Sequence, residues 1–265
     1  MKNKNKYRIM IGSLIIITLV CILHLYICPY FEPAVHQNSF HVIHKTDDTI
    51  RIAFIGDSWA YLHKRHLCKI PNNIHNKNGK PVSIRSVGIN GMTSKEVYYS
   101  IFYNDSVRSI IDWSPNFCII SAGINDTDLK MGKTFYKKNM QLILEFMEEN
   151  DIVPIVLEIP HYDIRLSFNR RYKRQKILRL VSMLITCSEM NCIDSYRDAF
   201  EQLIKNNEVD CNLHYLKCNR WNSDGYQDTR CIYTVDNMHI NEKGYQLLDS
   251  CITEEILKSL NCRHK

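Results

Sequence analysis

The sequence lacks internal repeats and low-complexity tracts, and neither sign of charge strongly dominates it. Its net charge of +6 mildly favours anionic surroundings but does not indicate a nucleic-acid-binding protein. Hydrophobic residues make up 45% and charged residues 23% of the 265 residues, so most of the chain is expected to be globular and not disordered. This length fits one large domain or two small ones.

Paired C-x-x-C motifs are also absent, although the chain has 11 cysteines. Three of them, Cys211, Cys218 and Cys231, lie in one polar and aromatic stretch that also contains His214. Because the spacing does not match that of a zinc site, we expect no metal there. A disulfide that pins this long loop is the favoured interpretation, since an exported domain can oxidise its cysteines, and the pairing is left open.

The N-terminal segment does not end in the small residues that mark a signal-peptidase site. Residues 1–8 are basic, and residues 9–28 form an apolar run of the length that a membrane-spanning helix needs. Lysines before the span predict a cytoplasmic N-terminus and an exported remainder. We therefore expect a single-pass signal anchor, with a secreted form or a form lipid-anchored at Cys28 as alternatives. Residues 29–49 are expected to be a stalk, followed by one domain over residues 50–262.

Strand-like and helix-like runs alternate from Ile50 onward. In chain order the strand-like runs are "IRIAFI", "VSIRSV", "FCIIS", "IVPIVLEIP" and "CIDS". Helical spacing lies between them, including a long basic helix over about residues 170–190, and a last helix is predicted over about residues 241–260. Such alternation favours a parallel sheet covered by helices on both faces. Ligands of such folds bind beyond the carboxyl ends of the strands.

Four short blocks hold residues suited to chemistry. "GDS" places Ser58 on a strand-to-helix corner, where the helix N-terminus favours negative charge. "SVGINGMTS" supplies Gly91, and glycine lets a backbone N–H approach a ligand closely. "SAGINDTD" supplies Asn125, whose amide can donate to a negative oxygen. "VDNMHIN" sets Asp236 three residues before His239, so the carboxylate can accept from one imidazole nitrogen while the other faces outward.

Taken singly, each block also fits a helix cap or a turn. Together, the series GDS, N-G-x-T-S, G-x-N-D and D-x-x-H resembles the SGNH hydrolases, also called the GDSL family, with the blocks in the same order over about residues 52–241. The resemblance implies a flavodoxin-like three-layer α/β/α sandwich with a parallel sheet. The first block departs from the family pattern, because it reads GDSW and puts the large ring of Trp59 next to the site.

The resemblance also implies a role for each residue. Ser58 is the expected nucleophile, and His239 is the base that takes its proton. Asp236 is expected to orient the imidazole and to stabilise its protonated form. The Ser58 N–H, the Gly91 N–H and the Asn125 side chain are the expected donors to the oxyanion that forms on the attacked carbonyl. No cofactor and no metal are expected.

The family and the predicted location together imply a serine ester hydrolase that removes O-acetyl or other short O-acyl groups from cell-surface or extracellular carbohydrate. The expected partners are an acylated carbohydrate or another small ester, and the membrane through the N-terminal helix, but not nucleic acid. The alternatives are an O-acyltransferase that uses the same serine, a glycan-binding module with a relic site, and a lipase or thioesterase. The last has less support because the sequence shows no long apolar loop for an acyl chain. The oligomeric state is left open.

Two residues are candidate substrate contacts. Trp59 either stacks on a sugar or packs in the core, and His161 begins the basic run over residues 161–179. That run either attracts an acidic glycan or anionic lipid headgroups, or it is a solvated helix face. The stretch from Asn206 to Tyr233 is long for a link and is expected to lie over or beside the pocket, where loops carry specificity.

Overall fold

The computed structural model describes residues 2–35, 39–44, 47–64, 69–206, 208–209 and 212–262 of the chain. The chain divides into two compact units, Met1–Pro33 and Ala34–Lys265. The first unit contains helix α1 (Lys2–Phe31). The second contains a sheet and the helices that cover it.

Helix α1 extends beyond the predicted span of residues 9–28 at both ends. The basic residues of the predicted cytoplasmic segment continue the helix, since lysine and arginine are good helix formers. Its apolar side chains are exposed, among them Ile9 at 70% and Leu25 at 72%. Within the described residues, Lys4–Phe31 is the one stretch of helix with the length and composition to cross a membrane, a test that a signal sequence also passes.

In the described part of the chain, five parallel strands form the sheet. They are β1 (Ile50–Gly56), β2 (Val82–Gly88), β3 (Phe117–Ser121), β4 (Val153–Leu157) and β5 (His214–Leu216). Their spatial order is β2-β1-β3-β4-β5, and all neighbours are parallel. This is the flavodoxin-like order, in which the direction of winding reverses between β1 and β3. The carboxyl ends of those two strands therefore border the crevice where such folds bind ligands.

Helices alternate with the strands and cover the sheet on both sides. In chain order they are α2 (Ser58–His63), α3 (Ile70–Asn78), α4 (Ser94–Tyr103), α5 (Asp105–Asp112), α6 (Ile124–Leu129), α7 (Lys133–Glu149), α8 (Ile164–Asn169), α9 (Lys173–Thr186), α10 (Ile193–Lys205) and α11 (Glu242–Cys262). One group contains α2, α3 and α11, and another contains α4, α5, α7 and α10. Strands β1, β3 and β4 are buried along their whole length, which requires cover on both faces. The predicted three-layer α/β/α sandwich is confirmed.

Strand β1 is apolar except for Arg51, which is buried and still satisfied. Its guanidinium donates to the Ser114 carbonyl (2.8 Å) and pairs with Asp47 (3.1 Å). At the other end of the sheet, α2 crosses close over the end of β2. A Cβ on Gly88 would lie 2.0 Å from the backbone nitrogen of Tyr61, so this crossing requires glycine.

Two predictions for the chain after β4 were wrong. The single basic helix predicted over about residues 170–190 is two helices, α8 and α9, with a break over residues 170–172. "CIDS" is not a strand, because Cys192 is the N-cap of α10 and the buried side chains that follow recur with helical spacing. The fifth strand is β5, which pairs with the end of β4. Strand β5 has only three residues, which are partly or fully buried, and so short a strand gives no alternating hydrophobic pattern in the sequence.

Within the predicted stalk over residues 29–49, the described residues 34–35 and 39–44, called the strap below, make contacts with α4 and α7 of the second unit. The Ala34 N–H donates to Asn139 Oδ1 (2.8 Å) on α7. The Val42 N–H donates to Asn150 Oδ1 (2.7 Å) at the end of the same helix. Between them, Phe40 packs its ring against aromatic rings of α4 and α7. Side-chain amides thus satisfy backbone groups of the strap, which has no regular secondary structure.

The predicted disulfide does not join Cys218 to Cys231. Both are free thiols. Cys218 is buried and its thiol donates to the Glu158 carbonyl (3.4 Å), whereas Cys231 is exposed. Cys211, the third cysteine of that prediction, lies outside the described residues. His214 pairs with a glutamate of α11 (3.2 Å).

Candidate active site

The residues of the four blocks meet at the carboxyl edge of the sheet, where the winding reverses. Ser58 begins α2 directly after β1, and Asn125 lies in the first turn of α6 directly after β3. Gly91 lies in the turn between β2 and α4, and His239 comes shortly before α11. The parallel strands end at the same edge of the sheet, so the residues that follow them lie close together there, although they are far apart in the sequence.

Asp57 stabilises the corner between β1 and α2 at which Ser58 lies. Its carboxylate accepts from the Trp59 N–H (3.0 Å) and caps α2, and it also accepts from the Ser121 hydroxyl (2.8 Å) at the end of β3. Asp57 is fully buried, and burial raises its pKa to about 6 against the lowering effect of these two hydrogen bonds. The buried cap fixes the direction in which Ser58 leaves the strand.

Ser58 and His239 are within hydrogen-bonding distance. The Ser58 hydroxyl lies 2.8 Å from His239 Nε2, across 181 positions of sequence. On the other side of the ring, His239 Nδ1 lies 2.6 Å from Asp236 Oδ2. With its proton on Nδ1, the imidazole donates to the carboxylate and accepts from the serine through Nε2. The expected series from Ser58 through His239 to Asp236 is thus continuous in the structure.

A tight turn holds the Asp236 carboxylate in place. Its Oδ1 atom accepts from the Thr234 hydroxyl (2.6 Å), the Met238 N–H (2.9 Å) and the His239 N–H (2.9 Å). Partial burial acts to raise the pKa of Asp236, but the bonds from His239, Thr234 and Met238 outweigh it and hold that pKa below its usual range. The carboxylate therefore remains ionised beside the imidazole. Thr234 gives no signal in the sequence that would have predicted this contact.

Gly91 and Asn125 come together through Met92. The Asn125 side-chain amide donates to the Met92 carbonyl (2.9 Å), directly after Gly91 in the chain. Gly91 has a φ of +82°, which glycine adopts without strain, and a Cβ there would meet open space. Among the described residues, this leaves the second amide hydrogen of Asn125 for a ligand.

Asp126 links the block that contains Gly91 to the block that contains Asn125. Its carboxylate accepts from the Ser94 N–H (2.8 Å) and the Ser94 hydroxyl (2.5 Å) at the start of α4. Asp126 is fully buried, and burial raises its pKa to about 7 although both bonds lower it. The turn with Gly91 and the start of α6 are therefore fixed relative to each other.

Known proteins share this fold. Neither a protein-family model nor a curated protein sequence matches the chain. Among solved structures, a GDSL-like lipase from Bacteroides thetaiotaomicron is 19% identical at a TM-score of 0.53, over 79% of this chain and 89% of that one. A psychrotrophic esterase from Pseudoalteromonas sp. is 14% identical at a TM-score of 0.54, over 81% and 100%. An acetyl xylan esterase from Geobacillus stearothermophilus is 16% identical at a TM-score of 0.53, over 78% and 94%.

The chain has the GDSL hydrolase fold. In this GDSL fold, the helix after β1 and the last helix are clasped together. The Tyr245 hydroxyl donates to the Trp59 carbonyl (2.9 Å), and buried His63 pairs with buried Asp249 (2.8 Å). These contacts join α2, which begins with Ser58, to α11, which follows His239. Sequence reasoning missed them, because residues so far apart in the chain give no local pattern.

Of the two alternatives for Trp59, stacking on a sugar or packing in the core, the structure shows packing. Its side chain is 2% exposed and packs edge-on against Trp221 and Tyr245. The departure from GDSL to GDSW therefore fills the core between α2 and the segment after β5. A ring buried to this extent offers no face on which a sugar can stack.

His161 lies in the loop after β4, beside the turn that holds Asp236. Two residues along that loop, the Asp163 N–H donates to the Asn237 carbonyl (3.0 Å). The imidazole is partly exposed, and its Nε2 accepts from Arg197 Nη1 (2.6 Å). Burial and the nearby Arg197 charge lower the pKa of His161, which favours the neutral ring. The structure thus places His161 at this rim of the GDSL fold, but not in the series of Ser58, His239 and Asp236.

The basic run is split between buried ion pairs and exposed side chains. Arg179 is buried and pairs with Asp128 (2.5 Å), which also pairs with Arg171 (3.1 Å) and accepts from the Ser167 hydroxyl (2.6 Å). Burial acts to raise the pKa of Asp128, but Arg179 and Ser167 outweigh it and hold that pKa below its usual range. These residues join α8 and α9 to the end of α6 and are part of the packing.

Proposed function

We propose that the chain is a serine ester hydrolase that removes O-acetyl or other short O-acyl groups from carbohydrate. The observation that carries the proposal is the hydrogen-bonded series from the Ser58 hydroxyl through His239 to Asp236, at 2.8 and 2.6 Å. A serine becomes a useful nucleophile when a base stands within this reach and a third group orients the base. The GDSL fold and its ester-hydrolysing neighbours support the same reaction class.

The proposed reaction has two steps, formation of an acyl-serine and its hydrolysis, and His239 carries the proton in both. Ser58 Oγ attacks the ester carbonyl carbon while His239 Nε2 takes the serine proton. The bond to the sugar oxygen then breaks, and His239 returns the proton to that oxygen, leaving an acyl group on Ser58. Water attacks the acyl-serine in the second step, with His239 again taking and returning a proton. Asp236 stays ionised throughout and stabilises the imidazolium.

The oxyanion formed in each step needs donors that are already in place. Ser58 lies at the N-terminal end of α2, so its own N–H points toward the developing charge in the proposed geometry. Gly91 and Asn125 supply the other donors, and the contact through Met92 keeps them adjacent. Loss of one such donor typically raises the barrier by about 3 to 4 kcal/mol.

The proposed location is the outer face of a membrane. Helix α1 supports it through its length and its exposed apolar side chains, and the lysines before the span favour a cytoplasmic N-terminus. A reporter fused after residue 265 tests this topology. Alkaline phosphatase is expected to be active at that position, and a fluorescent protein that folds only in the cytoplasm is expected to be dark. The reverse pair would reject the proposed orientation.

Hydrolysis of p-nitrophenyl acetate by the full-length chain tests the reaction class. We expect Ser58→Ala to lower kcat by at least about 10³-fold, whereas Ser109→Ala, at an exposed position on α5, keeps wild-type activity. Wild-type activity in Ser58→Ala would reject the nucleophile. A second arm with an acetylated glycan and an acceptor sugar separates water from sugar as the acyl acceptor. Free acetate supports the hydrolase, and an acylated acceptor supports an O-acyltransferase with the same residues.

A further inference from the structure

A polar cavity of about 240 Å³ lies at the carboxyl ends of β4 and β5, and we call it the β4–β5 cleft. Its walls come from Glu158 directly after β4, from residues 217–219 and 222–223 after β5, from His161 and from Arg197 of α10. These residues are separate from the series of Ser58, His239 and Asp236. The cleft is thus a second feature at the same edge of the sheet.

Two buried polar atoms at this cleft have no hydrogen-bond partner among the described residues. Asn222 is 1% exposed, and its Nδ2 donates to the Tyr233 hydroxyl (2.8 Å), but its Oδ1 has no donor. Arg197 donates through Nε to the Ile159 carbonyl (2.7 Å) and through Nη1 to His161, whereas its buried Nη2 lies 3.8 Å from Glu158 Oε2 and has no acceptor within hydrogen-bonding distance. A buried polar group without a partner costs about 1 to 3 kcal/mol. The cleft therefore presents one acceptor and one donor that a ligand can satisfy.

The charges around the cleft disfavour an anionic ligand. Arg197 lies 3.8 Å from Glu158 and 3.5 Å from Asp194, so its charge is balanced by two carboxylates. Lys217 pairs with Glu201 at 2.7 Å. An additional carboxylate or phosphate would face Glu158 without an uncompensated cation to hold it. A neutral group that both donates and accepts fits better, and a hydroxyl is such a group.

The cleft is connected to the turn that carries the base. Asn222 bonds Tyr233, which pairs with Ile240, the residue after His239. Neighbouring strands lie about 4.8 Å apart, so β4 and β5, two and three strands from β1, place the cleft about 10 to 14 Å from the Ser58 corner. A ligand that reaches both places must be longer than the acyl group and the ring that bears it.

We propose that the β4–β5 cleft binds a neutral sugar ring of an O-acylated oligosaccharide whose acyl group lies at Ser58. A ring hydroxyl accepts from Arg197 Nη2 and donates to Asn222 Oδ1, which satisfies both atoms at once. This inference rests on the proposed esterase function and adds the substrate class, an oligosaccharide and not a lipid or a lone monosaccharide. An acyl chain offers no hydrogen bonds to either atom.

Selectivity between three acetate esters tests the proposal on the full-length chain. The probes are acetylated xylotetraose, acetylated xylose and p-nitrophenyl acetate, and the readout is the ratio of kcat/KM for each sugar ester to that for p-nitrophenyl acetate. Asn222→Leu removes the acceptor at nearly constant volume, and Ser223→Trp obstructs the exposed rim if the buried change prevents folding. Ser109→Trp on α5 is the matched control for a new surface tryptophan.

We expect both cleft variants to lower the ratio for the tetrasaccharide at least 10-fold, mainly through KM, and to leave the ratio for acetylated xylose within two-fold. An unchanged tetrasaccharide ratio would overturn the proposal and assign the cleft to solvent. An equal fall for acetylated xylose would also overturn it, because the cleft would then act on the ester site itself. A uronic-acid oligosaccharide ester preferred over the neutral one would reject the neutral class. Hydrolysis of p-nitrophenyl acetate by the wild-type chain tests the proposed esterase function independently of the cleft.

Discussion

The Ser58 hydroxyl depends on residues that hold its partners and not only on those partners themselves. Asp57 fixes the corner, Thr234 fixes the Asp236 carboxylate, and Met92 links Gly91 to Asn125. The resemblance to GDSL hydrolases named the nucleophile, base, acid and donors from the sequence. It did not give Thr234 or Met92, because their contacts are made through backbone atoms and a common hydroxyl, which leave no motif.

Asn125→Ala tests the proposed oxyanion donor. We expect kcat for p-nitrophenyl acetate to fall about 10² to 10³-fold with little change in KM, because the amide acts on charge that develops only in the transition state. Asn76→Ala, at an exposed position on α3, is the matched control. A fall of less than two-fold would show that Asn125 serves only as a tie to Met92.

Asp236→Asn tests the orienting carboxylate at constant shape. An amide keeps an acceptor for the Thr234 hydroxyl but loses the negative charge beside His239, so the imidazolium is no longer stabilised. We expect kcat to fall about 10³ to 10⁴-fold. Asp198→Asn, an exposed change on α10, is expected to have no effect on kcat. Retention of more than a tenth of the activity in Asp236→Asn would assign the orienting role elsewhere.

Among the elements, the pair α2 and α11 determines whether serine and histidine meet. The strands and the order of the blocks were predictable because buried apolar runs and helical spacing are strong local signals. The end of the sheet was not, since β5 has only three residues and "CIDS" proved to be the start of a helix. The buried pair of His63 and Asp249 was equally beyond prediction, because it joins positions 186 residues apart.

Tyr245→Phe tests the clasp between these helices. The change removes the hydroxyl that donates to the Trp59 carbonyl and keeps the packing against the Trp59 ring. We expect a loss of about 1 kcal/mol in the free energy of unfolding, measured with urea. We also expect a lower kcat for p-nitrophenyl acetate with unchanged KM, because the distance from Ser58 to His239 is less tightly held. Tyr103→Phe, exposed on α4, is the control, and equal values for both variants would contradict the clasp.

At the scale of the whole molecule, the strap is part of the packed second unit of the chain. The sequence predicted a stalk there because the segment is polar and lacks periodicity. In the structure, the Ala34 N–H donates to Asn139 Oδ1 on α7, and the Val42 N–H donates to Asn150 Oδ1 at the end of that helix. Side-chain amides on α7 that accept from an irregular segment give no signal in the sequence of that segment, so the strap was not predictable.

The buried carboxyls of Asp57 and Asp126 make a contribution to stability that falls as pH rises through their pKa values. Burial raises the pKa of Asp126 to about 7 and that of Asp57 to about 6, so the folded state holds protons that the unfolded chain releases near pH 4. Between about pH 4 and pH 7 these two groups therefore hold more protons in the folded state, and their contribution to the free energy of unfolding decreases as pH rises.

Asp126→Asn removes the larger of these two contributions. We expect the free energy of unfolding of the variant to rise relative to wild type by about 2 to 4 kcal/mol between pH 4 and pH 7.5, measured by urea denaturation. Asp198→Asn should follow the wild-type curve. A difference between Asp126→Asn and wild type that stays constant with pH would show that Asp126 ionises normally in the folded chain.

Covalent labelling of the full-length chain with a fluorophosphonate tests the central claim most directly, because only a serine activated by a base reacts quickly. Peptide mass spectrometry is expected to find the phosphonate on Ser58, with labelling abolished in Ser58→Ala and slowed at least 10²-fold in His239→Ala. Labelling at another serine, or labelling of Ser58 at the same rate in His239→Ala, would contradict the account.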